Sequence, residues 1–166
     1  VNVIPDHTSA SLLLRATEDS YLEELRGKVL ACFSAGAKAS GCDMKFWWEE
    51  EGRYKVMQSN TILATTYSDN LQRIGRVVVD PDPTTPMGST DMGNVSSVVP
   101  AIHPTISIAP PDIPIHTEQF REIACSDSGH QGLLDSAKTL AMTAADIYAD
   151  KNLLKSIKDE FTKLNQ

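Results

Sequence analysis

The chain has 166 residues, 41% of them hydrophobic and 22% charged, with a formal net charge of -7. That acidic balance argues against nucleic acid or an anionic membrane as the main partner. No apolar run approaches the roughly 20 residues of a spanning helix, no basic start precedes a short apolar core as in a secretory signal, and the length suits one ordinary domain or two small ones.

Val1-Asn2-Val3-Ile4-Pro5 reads as a strand already under way, with no initiator Met, so a fragment of a longer protein is expected. Pro5 stops that strand, because it lacks a donor for a ladder. Ser9 to Thr17 reads as a second strand centred on Leu12-Leu13-Leu14, with Arg15 near its end. Glu18 to Ser40 is the clearest helix: Leu22, Leu25, Val29, Leu30 and Phe33 recur at helical spacing, acidic residues crowd the start, and Gly41 follows as a stop. Met44, Phe46 and Trp48 alternate with Asp43, Lys45 and Trp47, which predicts a strand over Cys42 to Glu49. Trp47 and Trp48 read as sheet surface and core, not as a substrate platform. Arg53 to Met57 is a further short strand. Strand, strand, helix, strand, strand packs a helix on one face of a sheet, and a boundary falls near Met57-Gln58.

Asn60 to Ile74 predicts a helix, with Ile62, Leu63, Thr66, Asn70, Leu71 and Ile74 along one stripe. Arg76-Val77-Val78-Val79 predicts a strand, and Asp80 to Pro86, with three prolines, an extended loop. Ser97 to Pro100 and Ile106 to Ile108 read as strands. The tail is helical: Glu118 to Ala124 capped by Thr117, Asp127 to Ala149 with Leu133, Leu134, Ala137, Leu140, Ala141, Ala144 and Ile147 as its buried stripe, and Lys151 to Leu164 around Leu154, Ile157 and Phe161. The expected class is therefore α/β: an α+β segment over 1–57, then a mixed sheet with C-terminal helices over 58–166.

Between them lies Gly88-Ser89-Thr90-Asp91-Met92-Gly93-Asn94-Val95-Ser96. Gly88 permits a tight backbone entry. Ser89 or Thr90 can cap a short helix, whose first amides can bind anions. His116 follows on a Pro-rich loop, a common way to line a cleft. Cys32, Cys42 and Cys125 show neither a pair-rich nor a metal-type spacing, so reduced thiols in an intracellular, cytoplasmic protein are expected.

Three pieces together carry a family resemblance: Asn2-Val3-Ile4-Pro5 with Arg15, Gly88 to Asn94, and Val99-Pro100-Ala101-Ile102-His103-Pro104 with His116-Thr117-Glu118-Gln119-Phe120. Their order and spacing resemble the C-terminal half of the zinc-dependent amidohydrolases and peptidases of metallopeptidase family twenty, most of all the Xaa-Arg (β-alanyl-lysine) dipeptidase branch. The resemblance implies that 1–57 is the later part of a lid, or dimerisation, domain and 58–166 the closing part of a catalytic domain that holds two metal ions, normally zinc. It implies His116 as a metal ligand, for which neutral imidazole is suited. Glu118 could orient that ring, or be an exposed helix-start carboxylate. It implies Arg15 as the fork that holds a substrate carboxylate. Asn2 stands nearby as a donor, with a strand-end turn as the alternative. Gly88, Ser89 and Thr90 would approach the substrate backbone, and Asp91 would orient their loop or simply sit in a helix start. His103 reads as structural, and His7 and His130 take no role.

The implied substrate is a dipeptide or N-acyl amino acid, and the implied assembly a homodimer through the lid. Family members use a metal-bridged water and a carboxylate base, which needs a His-x-Asp pair and a Glu-Glu pair after an apolar strand. This chain has no His-x-Asp, and its Glu23-Glu24 and Glu49-Glu50-Glu51 fall on a helix and a turn. No catalytic residue is therefore assigned within the chain, which by itself is expected to be inactive; a non-catalytic dimerisation or interaction module is the alternative.

Overall fold

A computed structural model describes residues 2–79 and 88–165. It divides into two units, Val1–Val56 and Met57–Gln166.

The regular element of the first unit is helix α1, Asp19–Ser40. Its end is decided by Gly41, whose φ of 71° reaches the left-handed region that a residue with a Cβ enters only at a cost. There the amide of Cys42 donates to Ala37 O (2.9 Å) and that of Gly41 to Lys38 O (3.3 Å), which satisfies two of the last carbonyls. The Leu and Val stripe is only half-buried, and no residue of α1 is fully buried. What ties the 42–56 arm to the helix is polar. Arg26 bonds Glu23 (3.1 Å) and Glu50, Arg53 reaches Glu23 (2.6 Å), and the Arg26 guanidinium lies 4.6 Å over the Trp48 ring.

The second unit holds α2 (Thr61–Arg73), α3 (Met92–Ser96), α4 (Glu118–Ala124), α5 (Asp127–Ala149) and α6 (Lys151–Leu164). Helix α5 is the hub: α2, α4 and α6 all pack on it, and α2 also meets α6. The start of α2 is unusually well supplied. Asn60 Oδ1 accepts from Leu63 N (2.9 Å), and the Glu160 carboxylate of α6 accepts from Thr61 N (2.8 Å), Ile62 N (3.0 Å) and the Thr61 hydroxyl. These are the amides that a helix start leaves without partners. Asp150 does the same for α6, accepting from Asn152 N and Leu153 N.

The α/β expectation is overturned. Among the described residues there is no strand or sheet; the single β pairing is an isolated parallel bridge between Ser59 and Ala101. The stretches read as strands at 2–4, 9–17, 42–49, 53–57, 76–79, 97–100 and 106–108 form no ladder. Val1 and the 80–86 loop lie outside the described residues. The physical reason is that a helix closes its hydrogen bonds within itself, whereas a strand closes them only across a neighbour. Alternation and β-branched content mark residues that suit a pleated surface; they do not supply the partner.

Helix α5 is also turned the other way from its apolar stripe. Its buried residues are Gly129, Gly132, Asp135, Thr139 and Thr143, while Leu133, Leu134 and Leu140 are exposed. Bonds explain the choice. Asn70 Nδ2 donates to Asp146 Oδ2 (2.7 Å) and Thr143 Oγ1 (3.3 Å), Arg76 Nε donates to Asp135 Oδ2 (2.9 Å), and Gln131 Nε2 donates to Asp135 Oδ1 (2.8 Å). The Thr139 and Thr143 hydroxyls bond back to the carbonyls of Asp135 and Thr139. Gly132 lets Ile108 approach so closely that a Cβ would stand 2.4 Å from its Cγ2. No helix among the described residues is long and apolar enough to cross a membrane.

Candidate functional site

The loop at Gly88 leads into α3. Gly88 and Ser89 are exposed; Thr90 is half-buried, and its Oγ1 accepts from Met92 N (3.2 Å). Asp91 sits at the head of α3 in helical geometry without a side-chain capping bond. The anchor of the segment is Ser96. Its hydroxyl is fully buried, donates to Gly93 O (2.9 Å) and accepts from Gln58 N (3.0 Å). Asn60 N adds a bond to Ala101 O (3.0 Å) beside the Ser59–Ala101 bridge. The segment is thus tied at its C-terminal end, through Ser96 and Ala101, to the lead-in of α2. Gln58 Oε1 is shut off from solvent without a hydrogen-bond partner among the described residues, an arrangement that costs about 1–3 kcal/mol.

His116 is exposed and has φ of 65°. A residue with a Cβ pays of order 1 kcal/mol or more there, so its neighbours must hold it. Thr117 does so from both sides: its hydroxyl donates to Pro114 O (2.8 Å) and accepts from Phe120 N (3.2 Å), closing the turn and capping α4. Glu118 faces Arg121 at 4.0 Å, on its own helix. His103, His7 and His130 are exposed. Asn2 and Arg15 are exposed residues of the first unit, whereas Gly88, Ser89, Thr90 and His116 belong to the second.

Among the described residues no group of three or more His, Cys, Asp or Glu could hold a metal ion. One imidazole falls short of the about four donors that zinc takes. The residues described here therefore do not fit a metal centre by themselves. Two carboxylates have shifted ionisation. The Arg76 hydrogen bond, helped by Gln131, holds Asp135 below the ordinary range against partial desolvation. At Glu160 desolvation pushes upward, but the Thr61 hydroxyl and the amides of Ile62 and Thr61 prevail and leave it lowered. Both carboxylates serve packing.

The residues that sequence reasoning missed are Gln58, Asn60 and Ser96. Their only local signal is an Asn before a helical run and a Ser inside the Gly88–Ser96 segment; the partners lie 38 and 97 residues away.

The chain is similar to Xaa-Arg dipeptidases. It is 38% identical over 162 residues to the Xaa-Arg dipeptidase of Mus musculus and 37% identical over 162 residues to that of Homo sapiens, 96% of this chain in each case. It spans 37% of the length of each of these relatives. No protein-family model matches it.

Proposed function

We propose that this chain is part of a dipeptidase that hydrolyses dipeptides of the Xaa-Arg kind. The observation that carries the reading is identity of 37–38% sustained along 96% of the chain to relatives so named. In this reading the substrate carboxylate sits on the Arg15 guanidinium, a planar fork matched to a carboxylate. By the same resemblance Asn2 is a further donor to substrate, and Gly88, Ser89 and Thr90 form a substrate-backbone loop. The Ser96–Gln58 bond ties the far end of that segment.

His116 would be one donor to a divalent metal, zinc by the family resemblance, with its other donors outside this chain. The remaining features of the reading are a homodimer through residues 1–57 and a cytoplasmic setting. The alternative is a non-catalytic dimerisation or interaction module.

The test is a full-length chimera in which this chain replaces the matched 162 residues of the mouse relative. It should hydrolyse a dipeptide ending in arginine, and His116→Ala should lower the rate by about 100-fold or more, since outer residues around a metal already cost 10–100-fold. A folded chimera without hydrolysis refutes the dipeptidase reading. Unchanged hydrolysis by His116→Ala refutes the ligand assignment alone.

A further inference from the structure

Among the described residues His116 is the only one other than glycine with a positive φ, 65°; the others are Gly41 and Gly75. Histidine tolerates that region better than most residues, but glycine takes it without a Cβ penalty. The place sharpens the contrast. His116 is third in the four-residue turn Pro114-Ile115-His116-Thr117, where a positive φ is ordinarily given to Gly or Asn. The ring is exposed, so packing into a core is not what keeps a histidine there. Backbone outliers of this kind persist only where neighbours hold them, and they gather at working sites.

One hydroxyl does the holding. Thr117 Oγ1 donates to Pro114 O (2.8 Å), which closes the turn across His116, and accepts from Phe120 N (3.2 Å), which ties the same oxygen to the first turn of α4. A helix cap needs only the second bond. The first runs back over the histidine and does nothing for the helix. Helix α4 packs in turn on α5, so the turn is fixed to the body of the second unit.

We infer that Thr117 is a positioning residue for the hydrolysis proposed above: its hydroxyl holds His116 in the left-handed conformation that presents the imidazole at a fixed place, and the histidine is kept for its ring where glycine would be easier. The inference rests on the dipeptidase reading. It concerns where the ring stands, not what the ring binds.

Three substitutions of Thr117 separate the two bonds. Thr117→Ser keeps both. Thr117→Val removes both with little change of shape. Thr117→Asp keeps an oxygen that accepts from Phe120 N but, ionised, has no proton for Pro114 O. The backbone of His116 is read in this chain by nuclear magnetic resonance, since a positive φ brings a residue's own amide and α protons close and gives a strong cross-peak between them. That cross-peak should be present in the native chain and in Thr117→Ser and lost in Thr117→Val and Thr117→Asp, while Thr117→Asp keeps the helical pattern of Glu118–Ala124. In the chimera with the mouse relative, Thr117→Val and Thr117→Asp should lower kcat by about 10–100-fold with KM changed less than about threefold, and Thr117→Ser should stay within about threefold of native. Valine carries no charge, so its agreement with aspartate excludes the added carboxylate as the cause. The thermal midpoint of His116→Gly should be no lower than that of the native chain.

Thr117→Asp with a native cross-peak and native kcat overturns the proposal, because the cap alone then suffices. A His116→Gly chain that melts below the native one also overturns it, since the histidine then serves the fold. A chimera that hydrolyses dipeptide but is indifferent to Thr117→Val overturns the positioning role and leaves the dipeptidase reading standing. A native chimera that folds and hydrolyses nothing removes the dipeptidase reading, and this role with it, whatever the cross-peaks show.

Discussion

Replacing Asn60 with alanine removes two bonds at once from the lead-in to α2. The side chain is 1% exposed, its Oδ1 accepts from Leu63 N (2.9 Å), and its Nδ2 donates to Ile157 O in α6 (3.0 Å). Loss of the cap costs about 1 kcal/mol, and loss of a neutral hydrogen bond about 1 kcal/mol more. The Leu63 amide, left without water, brings the total to about 2–3 kcal/mol. Asn60→Ser keeps a capping oxygen but cannot reach Ile157, so it should cost about half as much. Unfolding in urea followed by far-ultraviolet circular dichroism reads the difference. With a slope of about 1–3 kcal/mol per molar urea, Asn60→Ala should lower the midpoint by about 1 M. A shift under about 0.2 M, or equal shifts for alanine and serine, would refute the two-bond account.

Gly129→Ala should be severe, because its Cβ would stand 2.3 Å from the Ala124 carbonyl oxygen and 2.7 Å from that of Ile123, both backbone. A loss of about 2 kcal/mol or more in the same assay is expected; a neutral result would show that the α4–α5 corner yields. The lowered pKa values of Asp135 and Glu160 make an acid-side prediction. A carboxyl lowered in the folded state contributes stability above its unfolded value, near 4, and that stability is lost as pH falls through the folded value. Stability should therefore decline below about pH 5 in the native protein. The Asp135→Asn, Glu160→Gln variant should start lower and decline less; parallel curves would remove the two carboxylates from the account.

Helix positions were legible in the sequence. The three C-terminal helices fall on the ranges that apolar spacing and caps predict, and Thr117 does cap α4. Gly41 ends α1 as expected, and α2 starts after Asn60. Within the candidate site, Gly88, Ser89, Thr90 and His116 could be singled out as residues. The clamp of Ser96 on Gln58 could not, since nothing near Ser96 in sequence announces that contact. Nor could the positive φ of His116, which depends on the turn that Thr117 closes with Pro114.

What the amino-acid order determined by itself is everything that a chain segment can satisfy alone: helix spans, their caps and their apolar stripes, because these bonds and spacings run over three or four residues. Two things were decided only in three dimensions. Segments with strand-like composition found no neighbour to complete a ladder, and α5 turned its small and polar side inward because Asn70 and Arg76 wait there to bond it. Both depend on which distant groups come within reach, and a periodicity carries no record of its partner.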